Sequence, residues 1–255
     1  MSGEPRAELA SIAASLRAYL EWQEEAGSWG FPRKAGTAAA TATATATPTA
    51  NPTANPAPAG DPLVRLPQLA AEVAGCTRCG LAKTRTQTVF ARGNPQARLC
   101  FVGEAPGADE DEQGLPFVGR AGQLLDRMIG AMGLDPAKDV YVCNILKCRP
   151  PGNRRPEPGE MAACFPYLHE QLDLVRPQVI VALGNTAVTA LLDTKLGITK
   201  VRGQWKLYRG VLVMPTYHPS YLLRPSPQQT EAKRQAWEDL QAVMKELGLE
   251  LPKRR

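Results

Sequence analysis

QVIVALGNTAVTALL, residues 178–192, decides the fold class. Gln178 to Leu183 is a short, continuously apolar run, the pattern of a strand buried on both faces. Asn185 to Leu192 then reads as a helix. The same alternation extends in both directions. Upstream, Arg98 to Gly103 (RLCFVG) predicts a strand and Ala121 to Met132 a helix. Val140 to Ile145 (VYVCNI) predicts another strand and Glu160 to Leu174 another helix. Downstream, Gly203 to Tyr208 and Val211 to Pro215 read as a hairpin turning at Arg209-Gly210, and Thr230 to Leu247 closes the chain as a helix. Strands alternating with helices predict an α/β fold built in layers around a mainly parallel sheet. Ligands of such sheets bind at the carboxyl ends of the strands.

The 255 residues leave room for one or two domains, and 44% of them are hydrophobic, enough for a core. A net charge of +5 is compatible with a phosphate-bearing partner. No run reaches the roughly 18 apolar residues of a membrane helix, and MSGEPRAELASIAASLRAYLEW lacks the form of a signal peptide. A cytoplasmic protein is expected. Residues 1–33 read as a helical extension, with Leu9, Ile12, Leu16 and Leu20 at helical spacing. Residues 34–61, nearly all Ala, Thr, Pro, Asn and Gly, lack bulk to bury and read as a disordered linker. A main domain follows over residues 62–249, with a basic tail at 250–255.

In a reducing compartment the six cysteines favour metal binding or burial over disulfides. Cys76 and Cys79 form C-x2-C, and Cys148 and Cys164 flank a loop rich in proline and arginine. Four thiolates in that arrangement suit a [4Fe–4S] cluster or a structural zinc, with buried free thiols as the alternative. Cys100 and Cys143 lie inside predicted strands and read as core.

Three further stretches carry a resemblance: GEAPGADEDEQGLPFVGRAGQLLDRM (Gly103 to Met128), NILKCRPPGNRRPEPGEMAAC (Asn144 to Cys164) and HPSY (His218 to Tyr221). In this order, and with this cysteine pattern, they resemble the signatures of family 4 uracil-DNA glycosylases over about residues 62–248. The resemblance implies a three-layer fold with a four-stranded parallel sheet flanked by helices. It implies a [4Fe–4S] cluster on Cys76, Cys79, Cys148 and Cys164. It also implies a monofunctional DNA-repair enzyme that flips uracil out of DNA and hydrolyses its N-glycosidic bond. The implied substrate is uracil-containing DNA, met in the bacterial cytoplasm at the nucleoid by a monomer. The N-terminal extension would recruit a replication or repair protein. A non-catalytic module that binds uracil or damaged DNA on the same fold is the alternative. A phage-polymerase-like domain is a further rival, against which the first 60 residues offer no polymerase chemistry.

Glycosidic cleavage needs a pocket that takes the extruded base, selects uracil and stabilises the departing anion. Phe117 alone would read as a core residue beside Leu115 and Val118; within the motif it becomes the stacking platform. Asn144 ends a strand, where turn asparagines are common; within the motif its amide would pair with uracil O4 and N3–H. His218 would donate to uracil O2. Gly103, Ala105 and Gly107 border the substrate. In the best-known branch of the superfamily GEAPG is replaced by GQDPY, whose Asp positions the attacking water and whose Tyr blocks thymine. Ala105 and Gly107 occupy those positions here, so the water falls to Glu104, Asn153 or backbone groups. Thymine exclusion falls to another residue, for which Glu104 is the candidate. Asp109 to Glu112 read as an exposed acidic loop, and His169 as a solvated surface residue. Lys147, Arg149, Arg154, Arg155 and Arg224 are the cations expected near phosphates. Leu222 or Leu223 would wedge into the duplex, or else anchor its loop. A branch that captures DNA covalently carries a KRRIH loop; GITKVRGQWKLYRG (residues 197–210) has no such histidine.

Overall fold

The computed structural model describes residues 60–251. The helical extension, almost all of the predicted linker and the end of the basic tail lie outside the described residues. Four parallel strands form the centre: β2 (Leu99–Gly103), β3 (Val140–Asn144), β4 (Val179–Leu183) and β6 (Val211–Thr216). Two three-residue strands, β1 (Ala91–Gly93) and β5 (Lys206–Tyr208), close the edges in antiparallel register. The order is β1-β3-β2-β4-β6-β5. The expected four-stranded parallel sheet is therefore the middle of a six-stranded mixed one. The hairpin at Arg209-Gly210 forms as predicted, with both turn residues at positive φ.

Each central strand is buried on both faces, and its side chains alternate between two cores. Cys100, Val102, Cys143, Ile180, Ala182 and Val213 face one layer. That layer is built from helices α1 (Pro62–Ala74), α4 (Pro158–Val175) and α5 (Gly184–Leu192). Phe101, Val140, Val142, Val181 and Met214 face the other. There Leu125 and Ile129 of α3 (Arg120–Ala131) meet Leu240, Val243 and Met244 of α8 (Gln229–Glu246). Each such residue contributes about 1.5–3 kcal/mol on burial, which makes this register costly to slip. Cys100 and Cys143 are core residues, as read.

Local chemistry sets the ends of the elements. Asp61 caps α1 by accepting from the Leu63 N–H at 2.9 Å. Pro158 opens α4, where a proline loses no hydrogen bond. Three short α-helices, α2 (Ala108–Gln113), α6 (Ile198–Val201) and α7 (Pro219–Leu222), and two 3-10 turns at Gly80–Lys83 and Pro151–Asn153 complete the described chain. Among the described residues no helix is long and apolar enough to cross a membrane.

Because β3 and β4 flank β2 on opposite sides, the chain reverses direction across the sheet at the carboxyl end of β2. A crevice opens at such a point.

Candidate active site and cysteine centre

Four strand ends contribute to one open cleft of about 870 Å³. Asn144 comes from β3, Leu183 from the end of β4 and Gly184 from the start of α5, and Tyr217 and His218 follow β6. The loop after β2 adds Glu104, Ala105, Gly107, Glu110 and Phe117. Asn153, Arg154 and Arg155 of the proline-rich loop line it as well.

Asn144 is 2% exposed, and its Oδ1 has no hydrogen-bond partner within the protein. An unpaired buried acceptor costs about 1–3 kcal/mol. Gly103 makes room for it: a Cβ there would stand 2.3 Å from Asn144 Oδ1 and 2.5 Å from Phe117 Cζ. Strand end, amide and aromatic ring are therefore packed against one another, and only glycine fits between them.

Phe117 is buried with φ at 58°, in the left-handed region that L residues rarely adopt. Glu110 holds the loop in that shape. Its carboxylate accepts from the backbone N–H groups of Gly107, Val118 and Gly119 at 3.0, 2.9 and 2.9 Å. The neighbouring Asp111 is buried and accepts from the Thr86 N–H at 3.0 and 3.2 Å. The expected exposed acidic loop is thus corrected. Glu110 and Asp111 turn inward to satisfy backbone donors that would otherwise be stranded.

His218 caps α7. Its Nδ1 accepts from the Ser220 N–H at 3.1 Å and lies 2.8 Å from Ser220 Oγ. A ring nitrogen that accepts a backbone N–H carries no proton, so the neutral ring's proton sits on Nε2. Burial, with the charge of Arg224 adding to it, lowers its pKa from 6.5 to about 4. The ring stands 5.6 Å from that of Phe117 at 31°. Gly184, with φ at 84°, permits the approach, since a Cβ there would lie 2.8 Å from His218 Cβ.

The remaining predicted residues divide. Glu104 and Ala105 are half-buried in the cleft wall. Asn153 lines the cleft too, but its Oδ1 accepts from Arg149 Nε at 2.7 Å. Arg154 is held by Glu160 at 2.9 and 2.6 Å. Arg155 and Arg224 are exposed on the cleft, with no ion pair among the described residues. Arg120 joins them at the start of α3, a residue that sequence reasoning missed because helix-surface arginines are common.

Two expectations, for Lys147 and His169, are corrected, and for Leu222 the loop-anchor alternative holds. Lys147 is 1% exposed and donates its Nζ to the Asn144 carbonyl at 2.7 Å, so it faces no phosphate. Leu222 is 2% exposed and packs with Tyr217, Ala232 and Ala236; it anchors the loop, while Leu223 lines the cleft. His169 is half-buried, edge-on to Phe165 at 4.5 Å.

On the α1–α4 side of the sheet, Cys76, Cys79, Cys148 and Cys164 surround a small apolar cavity. Arg85 Nη1 donates to Cys148 Sγ at 3.2 Å, and the Lys147 N–H to Cys164 Sγ at 3.3 Å. Burial raises the Cys148 thiol and pushes Cys164 up to about 11; Arg85 and Lys147 respectively pull against it. The donor set is entirely sulfur, which suits iron–sulfur or zinc chemistry.

A family model described as the uracil DNA glycosylase superfamily matches residues 90–241. The chain is 48% identical over 170 residues to the type-4 uracil-DNA glycosylase of Thermotoga maritima, covering 65% of this chain and 86% of that protein. It is 45% identical over 168 residues to the type-4 uracil-DNA glycosylase of Sulfurisphaera tokodaii, covering 62% and 76%. The type-4 uracil-DNA glycosylase of Archaeoglobus fulgidus is also 45% identical over 168 residues, covering 62% and 83%. The matched span runs from β1 into α8 and carries every strand end that builds the cleft, so the chain belongs to the uracil DNA glycosylase superfamily, in its type-4 family.

Proposed function

We propose that this protein excises uracil from DNA in base excision repair, hydrolysing the N-glycosidic bond and leaving an abasic site. The observation that carries the reading is the buried, unpaired Oδ1 of Asn144 beside the ring of Phe117 in an open cleft. A flipped uracil supplies what that amide lacks. Its N3–H donates to Oδ1, and its O4 accepts from Nδ2. Cytosine has no N3 proton and places a donor at position 4, so both contacts fail. Phe117 receives the base face.

As the bond to C1′ breaks, negative charge gathers on uracil O2. His218 Nε2–H is the donor we assign to it, and a neutral imidazole keeps its proton there rather than losing it to bulk water. Glu104 is the carboxylate we assign to the attacking water, since Ala105 offers no side-chain acceptor and Asn153 is engaged by Arg149. Arg120, Arg155 and Arg224 contact phosphates around the extruded nucleotide, and Leu223 fills the gap that it leaves.

Cys76, Cys79, Cys148 and Cys164 would hold a [4Fe–4S] cluster. When bound, it supplies a crosslink between the end of α1, the loop after β3 and α4. The residues' own part is to present four thiolates in an apolar cavity flanked by Arg85 and Lys147. Cys148→Ser is expected to lose the brown visible absorbance and to lower Tm. Colourless wild-type protein with stoichiometric zinc would contradict the cluster.

Gly103→Ala is expected to fold yet release uracil about a hundredfold more slowly, the scale of a displacement of about 1 Å in a catalytic group. Circular dichroism and single-turnover rates check both halves. The function itself is tested with a duplex bearing one uracil, by assaying free uracil and alkali-labile sites. Binding in a gel shift with no base released would favour the non-catalytic module.

A further inference from the structure

Lys147 is among the largest fully buried side chains in the described structure. A buried ammonium is costly unless paired. Among the described residues no carboxylate lies within ion-pair distance of it. Its Nζ donates to one protein acceptor, the Asn144 carbonyl at 2.7 Å, and stands 5.8 Å from the Phe90 ring centroid. The same residue lines the cysteine cavity, and its own N–H donates to Cys164 Sγ at 3.3 Å. Its backbone carbonyl is used as well, accepting from the Val89 N–H at 2.8 Å. Asn144 to Cys148 is one buried segment, with the base-facing amide at one end and a cysteine of the cavity at the other.

We propose that Lys147 is a positioning residue that braces Asn144 through its carbonyl and supplies the buried counter-charge to a thiolate-ligated cluster. The inference rests on the cluster reading for its second half and on the active-site reading for its first. Four thiolates around an iron–sulfur cube leave a net negative charge in an apolar cavity, and a cation beside it makes reduction easier. The two roles meet in one side chain, so the cysteine centre and the uracil pocket are mechanically joined over four residues.

Lys147→Met, of similar length but with neither charge nor donor, separates this from packing. Anaerobically purified Lys147→Met is expected to keep its colour, with the cluster potential shifted to lower values. Its kcat on uracil DNA falls roughly tenfold, the worth of a hydrogen bond from a charged donor, with KM little changed. Lys147→Arg restores the potential towards wild type. If Lys147→Met is colourless while Lys147→Arg is brown, the charge requirement is upheld. If both lose the cluster equally, or if Lys147→Met matches wild type in potential and kcat, the proposal is overturned. Colourless wild-type protein would remove the cluster reading alone. The kcat of Lys147→Met would then still decide the brace.

Discussion

Asn144→Ala lowers single-turnover uracil release by about a thousandfold or more while the protein stays folded. The amide is expected to make two contacts to uracil, and removing one donor from a preorganised site already costs about 10²–10³ in rate. The fold survives because the lost Oδ1 makes no hydrogen bond within the protein; alanine removes an unpaired buried acceptor without stranding a partner. Denaturant midpoints should therefore stay level or rise while activity collapses. A variant that loses activity and stability together would mean that Asn144 serves the fold, and wild-type-like turnover would remove it from the site.

His218→Ala lowers release by about 10²–10³, the cost of one donor to a developing anion. Its titration supplies a second check. The folded-state pKa of about 4 lies below the ordinary 6.5. Between those values the unfolded chain holds a proton on this histidine that the folded chain refuses. The stability contributed by the buried neutral ring is thus fully present above pH 6.5 and is lost as pH falls towards 4. Release should accordingly stay flat in its dependence on His218 from pH 8 down to about 5. An NMR titration of the ring near 6.5 would show that burial does not hold it neutral.

The central strands were legible because a parallel strand covered by helices must be apolar on both faces, and QVIVAL has that signature in isolation. β1 was not legible. Ala91-Arg92-Gly93 has no apolar alternation and becomes a strand by pairing with β3. The convergence of Phe117, Asn144 and His218 on one cleft followed from motif order together with the rule that sites gather at strand ends. The depth of individual residues did not follow. Lys147 sits in a run with Arg149, Arg154 and Arg155, and composition marks the whole run as surface. The chain path after β3 instead carries Lys147 inward, where it bonds its own segment's carbonyl. Leu222 and Leu223 are chemically alike, and the phase of α7 decides which is buried. Glu110 looked like one of four solvated acids. Its three N–H partners lie on both sides of Phe117, and no local pattern announces such an arrangement.

The most direct measurement compares wild type and Asn144→Ala in single turnover on duplexes carrying uracil, cytosine or thymine at one position, scored by alkaline cleavage. Wild type is expected to cleave at uracil alone, with the rate lowered by about a thousandfold in the variant. Comparable release of cytosine by wild type, or uracil release by the variant at the wild-type rate, would contradict it.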